Sequence, residues 1–292
     1  MRQNVLWMVS LAGCSAGCAN GYEVYVVEYA HSTGVPAERL IAGATGETLD
    51  MSWNFLVGIG NERVVLLDAG MTYFETENPS INYFKNYWMV DEHRTIEDTL
   101  ATVGVTPADV TDVWITHKHS DHLEGIRELP NAHIYMRGAE WDEAVAEAAA
   151  DPFAPAAYPA LLPVLQQVEA EGRLHRLDET TAQIDMGPGY PYWPMLDGGI
   201  AEGGKHTNHS TMMGIRCTND GNYYLAGDAA YTYRNMEQQV AVAQTVDPVG
   251  NVEDVRNLVE YAGGIDRVLP GHDPAVFDRF PVVGDGAAQI CD

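Results

Sequence analysis

Lysine is nearly missing from this 292-residue chain: Lys85, Lys118 and Lys205 are all there are, and with arginine they make 16 basic residues against 42 acidic ones. The resulting formal charge of -26 repels phosphate backbones and anionic bilayers, which excludes nucleic acid and acidic lipid as partners. Cysteine is scarce as well. Cys14, Cys18, Cys217 and Cys291 include no Cys-x-x-Cys spacing, so they say little about a metal. Cys217 and Cys291 are candidates for a pair in an oxidising compartment, free core thiols being the alternative. No apolar run reaches the roughly 20 residues that span a bilayer. Low-complexity linkers and short repeats are absent too. What is plentiful is apolar surface: 46% of the chain is hydrophobic, enough for a sizeable core in one large α/β domain or two small ones.

The first residues carry a separate message. Arg2 precedes the apolar run Val5-Leu6-Trp7-Met8-Val9, followed by Leu11-Ala12-Gly13-Cys14. That tetrad resembles the lipobox of a bacterial lipoprotein, with Cys14 as the lipidated residue; an ordinary apolar leader is the other reading. The division expected is therefore a leader over 1–21 and a single domain over 22–292. The protein is expected to be exported, to the cell envelope or beyond, with a cytoplasmic location as the alternative. Membrane attachment would come only through Cys14.

Period-two alternation predicts strands over Tyr22–Glu28, Ser52–Val57 and Arg63–Leu67, the last two joined by a hairpin turn at Gly58-Ile59-Gly60-Asn61. Residues 73–90 are aromatic and irregular, as in a flap. Helices are expected over Thr95–Val103, Glu140–Ala150, Val164–Glu171 and Val252–Tyr261. Further strands fall at Val110–Ile115, Ala132–Met136, Leu174–Leu177, Gln183–Met186, Met212–Cys217, Tyr223–Ala226 and Asp266–Leu269. Strands in two clusters with helices outside predict two sheets packed face to face under helical layers.

The densest chemistry lies at Thr116-His117-Lys118-His119-Ser120-Asp121-His122, just past a buried strand. A strand that stops and turns aims neighbouring side chains at one point, which a helix would spread around its faces. Imidazoles and a carboxylate suit zinc, with iron, manganese or cobalt as alternatives. Further strand-end sites stand at Asp68-Ala69-Gly70, Lys205-His206-Thr207-Asn208-His209-Ser210, Gly227-Asp228-Ala229 and Pro270-Gly271-His272. Small residues beside each let the backbone turn sharply.

His-x-His-x-Asp-His, Lys-His-Thr, Gly-Asp-Ala and Pro-Gly-His, in that order, resemble the metallo-β-lactamase superfamily across roughly residues 22–280. The resemblance implies a four-layer αβ/βα sandwich with two divalent ions at one edge of the sheets. It places His117, His119 and His206 on the first ion, and Asp121, His122 and His272 on the second. Asp228 would bridge them, and Asp68 would orient a ligand histidine. His206, which directly precedes Thr207, is taken as the ligand rather than His209, which is assigned a supporting or pocket position. Lys205 stands where the family usually has glycine.

Two such ions, roughly 3.5–4 Å apart, bring a shared water close to ionisation at neutral pH. Asp121 would orient that water or pass a proton to the leaving group. Tyr231, three residues after Asp228, resembles the tyrosine with which N-acyl homoserine lactonases donate a hydrogen bond to the lactone oxygen. The expected function is therefore opening of a small-molecule lactone or related ester, a quorum-quenching activity if the lactone is an acyl homoserine lactone. A β-lactamase, esterase or phosphotriesterase of the same fold is the alternative, with Lys205 or Arg234 as receivers of a β-lactam carboxylate. A non-catalytic metal-binding envelope protein is the reading from another class. The aromatics Trp141, Phe153, Tyr158, Tyr190, Tyr192 and Trp193 are candidates either for a roof over the pocket or for local core, and Glu124 stands where many relatives carry a small residue.

Overall fold

The computed structural model describes residues 22–60, 62–72, 84–150, 161–177, 191–192, 195–196, 199–200, 205–217 and 221–291. The leader with Cys14 and Cys18, the expected strand Gln183–Met186, and Phe153, Tyr158, Tyr190 and Trp193 lie outside these. Among the described residues, no helix is long and apolar enough to cross a membrane.

The larger sheet contains β1 (Glu23–Pro36), β2 (Thr48–Gly60), β3 (Arg63–Leu67), β4 (Val90–His93), β5 (Asp112–Trp114), β6 (His133–Arg137) and β7 (Leu174–Leu177). A smaller sheet holds β8 (Pro191–Tyr192), β11 (Met213–Arg216), β12 (Asn222–Gly227) and β13 (Val268–Pro270), while β9 (Met195–Leu196) and β10 (Gly199–Ile200) pair with each other. Two C-terminal strands, β14 (Val282–Gly284) and β15 (Ala287–Cys291), return to the large sheet, whose order is β14-β15-β1-β2-β3-β5-β6-β7, with β4 beside β1. Pairing is antiparallel from β14 to β3 and parallel from β3 to β7; β12 and β13 are also parallel.

Alternating side chains divide the large sheet between two cores. Val27, Phe55, Val57, Leu66 and Val113 face a helical layer that includes α1 (Ile96–Ala101), α3 (Gly138–Ala150) and α4 (Leu162–Ala170), with Leu100, Trp141 and Leu165 opposite. Val24, Val26, Leu56, Val65, Leu67 and Trp114 instead meet Met213, Leu225 and Leu269 of the small sheet. Val255 and Leu258 of α5 (Pro248–Ala262) join that cluster from outside. The result is the αβ/βα sandwich expected. Cys217 and Cys291 form a disulfide between the two sheets, which settles the alternative left open above.

Several boundaries differ from expectation. β1 continues to Pro36, past Ser32-Thr33-Gly34 where alternation fails, because two bulged registers keep it paired with β2 to the end. The last predicted strand starts at Val268 rather than Asp266, since Ile265–Arg267 forms a single 3-10 turn.

Candidate metal centre

The relevant strands deliver their ends to one rim. β3 leads into Asp68, β5 into Thr116–His122, β12 into Asp228 and β13 into His272. α2 (Ser120–Leu123) carries Asp121 and His122. The loop bearing His206 is tied to this rim by Thr211, whose amide and hydroxyl both donate to the Thr116 carbonyl at 2.9 and 3.0 Å. Close backbone approach explains one glycine: a Cβ on Gly271 would stand 3.0 Å from Asp228 Oδ1 and 2.9 Å from the Gly227 carbonyl.

The buried side chains converge as two groups that share Asp228: His117, His119 and His206 on one side, Asp121, His122 and His272 on the other. In the first, His119 Nδ1 lies 2.9 Å from His117 Nε2 and 2.7 Å from His206 Nε2, and Asp228 Oδ2 is 3.1 Å from His206 Nε2. In the second, Asp228 Oδ1 is 3.1 Å from His122 Nε2 and 3.0 Å from His272 Nε2. Asp121 Oδ2 is 3.1 Å from His122 Nε2 and 3.7 Å from His272 Nε2. All the ligand atoms of each group lie within 4.8 Å of one another.

The donor set fits metal ions on a specific observation. His122 Nε2 and Asp228 Oδ1 are buried and only 3.1 Å apart, yet neither has a hydrogen-bond partner. Burying two such groups without a partner is costly, and a cation between them would remove the cost. The imidazole nitrogens of His117, His119 and His206 converge likewise. Burial and the neighbouring His122 hold His117 well below the ordinary histidine range; burial and His206 pull His119 down to about 3. Both rings are thus neutral, the form that binds a cation. Burial opposes ionisation of Asp228, but His122, His272, His206 and His117 outweigh it and keep the carboxylate charged. Burial likewise opposes a charge on His122, and Asp228, Asp121 and Asp68 overcome it, pushing that imidazole up, so the same carboxylates that favour its proton favour a cation in the proton's place.

The outward-facing nitrogens are fixed as well. His122 Nδ1 contacts Asp68 Oδ2 at 2.7 Å, and Asp68 Oδ1 accepts the Thr116 amide at 2.8 Å. Asp68 holds a left-handed φ of 62° at the end of β3, a conformation that aspartate tolerates better than most residues. His272 Nδ1 faces the Ser52 carbonyl at 3.0 Å, and His206 Nδ1 the Gln244 carbonyl at 2.6 Å. Such contacts select the tautomer and the ring plane.

Lys205 also takes a left-handed φ, of 51°, which gives glycine at this place in the family a physical reason. Its side chain does not line the metal edge. His209 faces Glu143 at 3.5 Å and stands outside both groups. Glu124 is fully buried off the cavity, and burial pushes its carboxyl up to about 8 against the opposing pull of Arg127. Trp141 is core rather than roof.

A cavity of about 260 Å³ opens beside the two groups. Its apolar wall is Met51, Trp53, Phe84 and Trp88, with Ser120, Tyr231 and Gln244 closing other sides. The Tyr231 ring sits 5.7 Å from that of His206 and 5.4 Å from that of His272. Phe84 and Trp88 belong to the aromatic stretch read above as a flap, of which residues 73–83 lie outside the described residues; sequence reasoning missed Met51 and Trp53, for which the one signal was the polar pair Ser52 and Asn54 beside Trp53.

The family model described as the metallo-beta-lactamase superfamily matches residues 48–272. An N-acyl homoserine lactonase AttM of Rhizobium johnstonii is 29% identical over 198 residues, covering 66% of this chain and 70% of its own. The corresponding protein of Azorhizobium caulinodans is 29% identical over 204 residues, with the same coverage of each chain. Among solved structures, an N-acyl homoserine lactone hydrolase with N-hexanoyl-L-homoserine at its catalytic metal centre superposes with a TM-score of 0.65 at 18% identity, over 88% of this chain and 96% of that one. The dizinc quorum-quenching lactonase AidC gives 0.62 at 16%, over 94% and 96%. The chain belongs to the metallo-beta-lactamase superfamily, as a metal-dependent hydrolase that resembles its lactonases.

Proposed function

We propose that this protein is a dinuclear hydrolase that opens uncharged lactones, with an N-acyl homoserine lactone as the leading substrate class. One observation carries the reading: Asp228 turns one oxygen to each ligand group, directly beside an apolar cavity that Tyr231 lines. His117, His119 and His206 would hold one ion, Asp121, His122 and His272 the other, and zinc suits this donor set best. The ions would supply an ionised water at neutral pH and polarisation of the substrate carbonyl.

The remaining work falls to the chain. Trp53, Trp88, Phe84 and Met51 bury an acyl group and exclude water from the reacting centre. Tyr231, held between His206 and His272, donates its phenolic proton towards the oxygen that gains charge. Asp121, at the cavity floor, orients the attacking water and carries its proton to the departing alkoxide.

Competing substrates fit less well. Among the described lining residues there is no lysine or arginine, so a β-lactam carboxylate lacks a receiver. Arg234 is engaged by Glu47 at 2.8 Å. A nuclease is opposed by the charge of -26. The buried Cys217–Cys291 disulfide supports an exported protein; mass spectrometry of membrane fractions tests lipidation at Cys14, an unprocessed N-terminus ruling it out.

A hydrolysis panel of short- and long-chain lactones, β-lactams, thioesters and phosphotriesters tests the function. Tyr231→Phe is expected to slow lactone opening about 10²-fold, by the usual worth of one such donor, and aryl ester cleavage much less. Equal losses on both would remove Tyr231 from the lactone step.

A further inference from the structure

The histidine motif contains a lysine that takes no part in binding metal or lining the cavity, and its surroundings give it a task. On α3, Glu140, Glu143 and Glu147 are spaced i, i+3 and i+7 and so share one face. That face meets both ligand loops of the first half-site. Glu140 is fully buried, and its Oε1 accepts the Lys118 amide at 2.9 Å. The Lys118 ammonium, with its side chain only 8% exposed, reaches Glu143 Oε2 at 2.7 Å and Glu147 Oε1 at 2.5 Å. Glu143 then uses its other oxygen on the second loop, accepting from Asn208 Nδ2 at 3.1 Å, with His209 Nε2 at 3.5 Å.

Lys118 lies between His117 and His119, and Asn208 lies two residues beyond His206. One glutamate therefore fastens both segments that must approach each other for three imidazoles to meet. No comparable contact runs from this face to Asp121, His122 or His272 among the described residues. We infer that Lys118 and Glu143 form a positioning clamp that sets the metal affinity of the His117/His119/His206 half-site and leaves the other half-site alone. The inference rests on the two-metal reading above. Physically, the clamp restricts loop excursions that would separate His206 from His119; without it, each binding event must first pay to order both loops. Loss of an outer partner of this kind typically costs about 10–100-fold in metal affinity.

The test uses the full chain stripped with a chelator and titrated with Zn(II) against a competing indicator, and with Co(II) for its absorption. His206→Ala and His272→Ala identify which of two binding phases belongs to which half-site. Glu143→Ala and Lys118→Met are expected to weaken the His206 phase about 10–100-fold and leave the His272 phase within about threefold. Melting of the metal-free protein should stay unchanged, and Lys118→Arg should restore most of the affinity. Two unchanged phases would overturn the clamp, as would parallel loss of both phases together with a lowered melting temperature of the metal-free protein. Wild-type protein that binds fewer than two ions would instead overturn the two-metal reading itself. The two failures are thereby told apart.

Discussion

The two halves of the centre are built differently. The His122/His272 half hangs on the large sheet through buried and largely main-chain contacts. His272 Nδ1 meets the Ser52 carbonyl, the Ser52 amide donates to the His272 carbonyl at 3.0 Å, and Asn54 Nδ2 donates to the Gly271 carbonyl at 3.0 Å. Tyr29, fully buried, donates its hydroxyl to the Asp121 carbonyl at 2.9 Å, and the Trp53 ring lies 5.0 Å from that of His272. The His119/His206 half has main-chain ties too, at Thr116 and Gln244, but it alone is also braced on a helix by ion pairs at the protein's edge, with Glu143 29% exposed. Strand pairing fixes position to a fraction of an ångström, whereas exposed charges are screened and adjustable. The rigid half defines where the site is; the other decides how tightly it closes.

Asp228→Ala probes what the halves share and has the largest expected effect. Turnover should fall to background and metal uptake should drop in both phases. Full retained activity would remove Asp228 from the mechanism. Asp68→Ala strikes the sheet-borne half directly and the other half only through Thr116, which adjoins His117. It strands His122 and two donors of Thr116 in a buried place, so a stability loss of roughly 3–5 kcal/mol is expected by analogy with broken buried pairs. Denaturant melts would show it, and the His272 phase should weaken more than the His206 phase.

Replacing Cys217 and Cys291 together by alanine tests whether either half depends on the staple between sheets. The disulfide closes a long loop, with a sequence separation of 74, and its removal is expected to cost about 2–4 kcal/mol. Metal stoichiometry should not change, because the staple joins the sheets away from the metal rim.

Glu140→Gln gives the smallest effect, with a defined sign. Burial lifts the Glu140 carboxyl above the ordinary glutamate range, so the folded chain holds that proton more tightly than the unfolded chain does. Native stability contributed there is complete below about pH 4.3 and is lost as pH rises through the lifted value. Glutamine keeps an acceptor for the Lys118 amide without that loss. The melting temperature of the variant should therefore gain on wild type as pH rises from 4 towards 7, and a constant difference would count against a buried, hard-to-ionise Glu140.

Much of this was legible in the chain. Ligands at strand ends announce themselves because the strands are apolar and the turns are marked by small residues, and the resemblance to the family then implied that Asp68, Asp228 and His272 stand beside the His117 cluster. What escaped depended on contacts between distant segments. Trp53 reads as one more apolar strand residue until β2 is seen to run beside the His272 loop. β15 is Ala-Ala-Gln-Ile-Cys, with weak strand propensity, and becomes a strand because β1 and β14 pair with it on both sides. Lys118, between two histidines, drew no reading of its own from the sequence. Its meaning lies in three glutamates more than twenty positions later.

The Ser52 carbonyl that holds His272 has an evolutionary corollary. A main-chain oxygen is present whatever side chain occupies position 52, so ordinary point mutation cannot delete this support; only a slipped register of β2 could. Drift in metal preference among descendants of this protein should accordingly accumulate on the glutamates of α3, where a single codon change alters the grip.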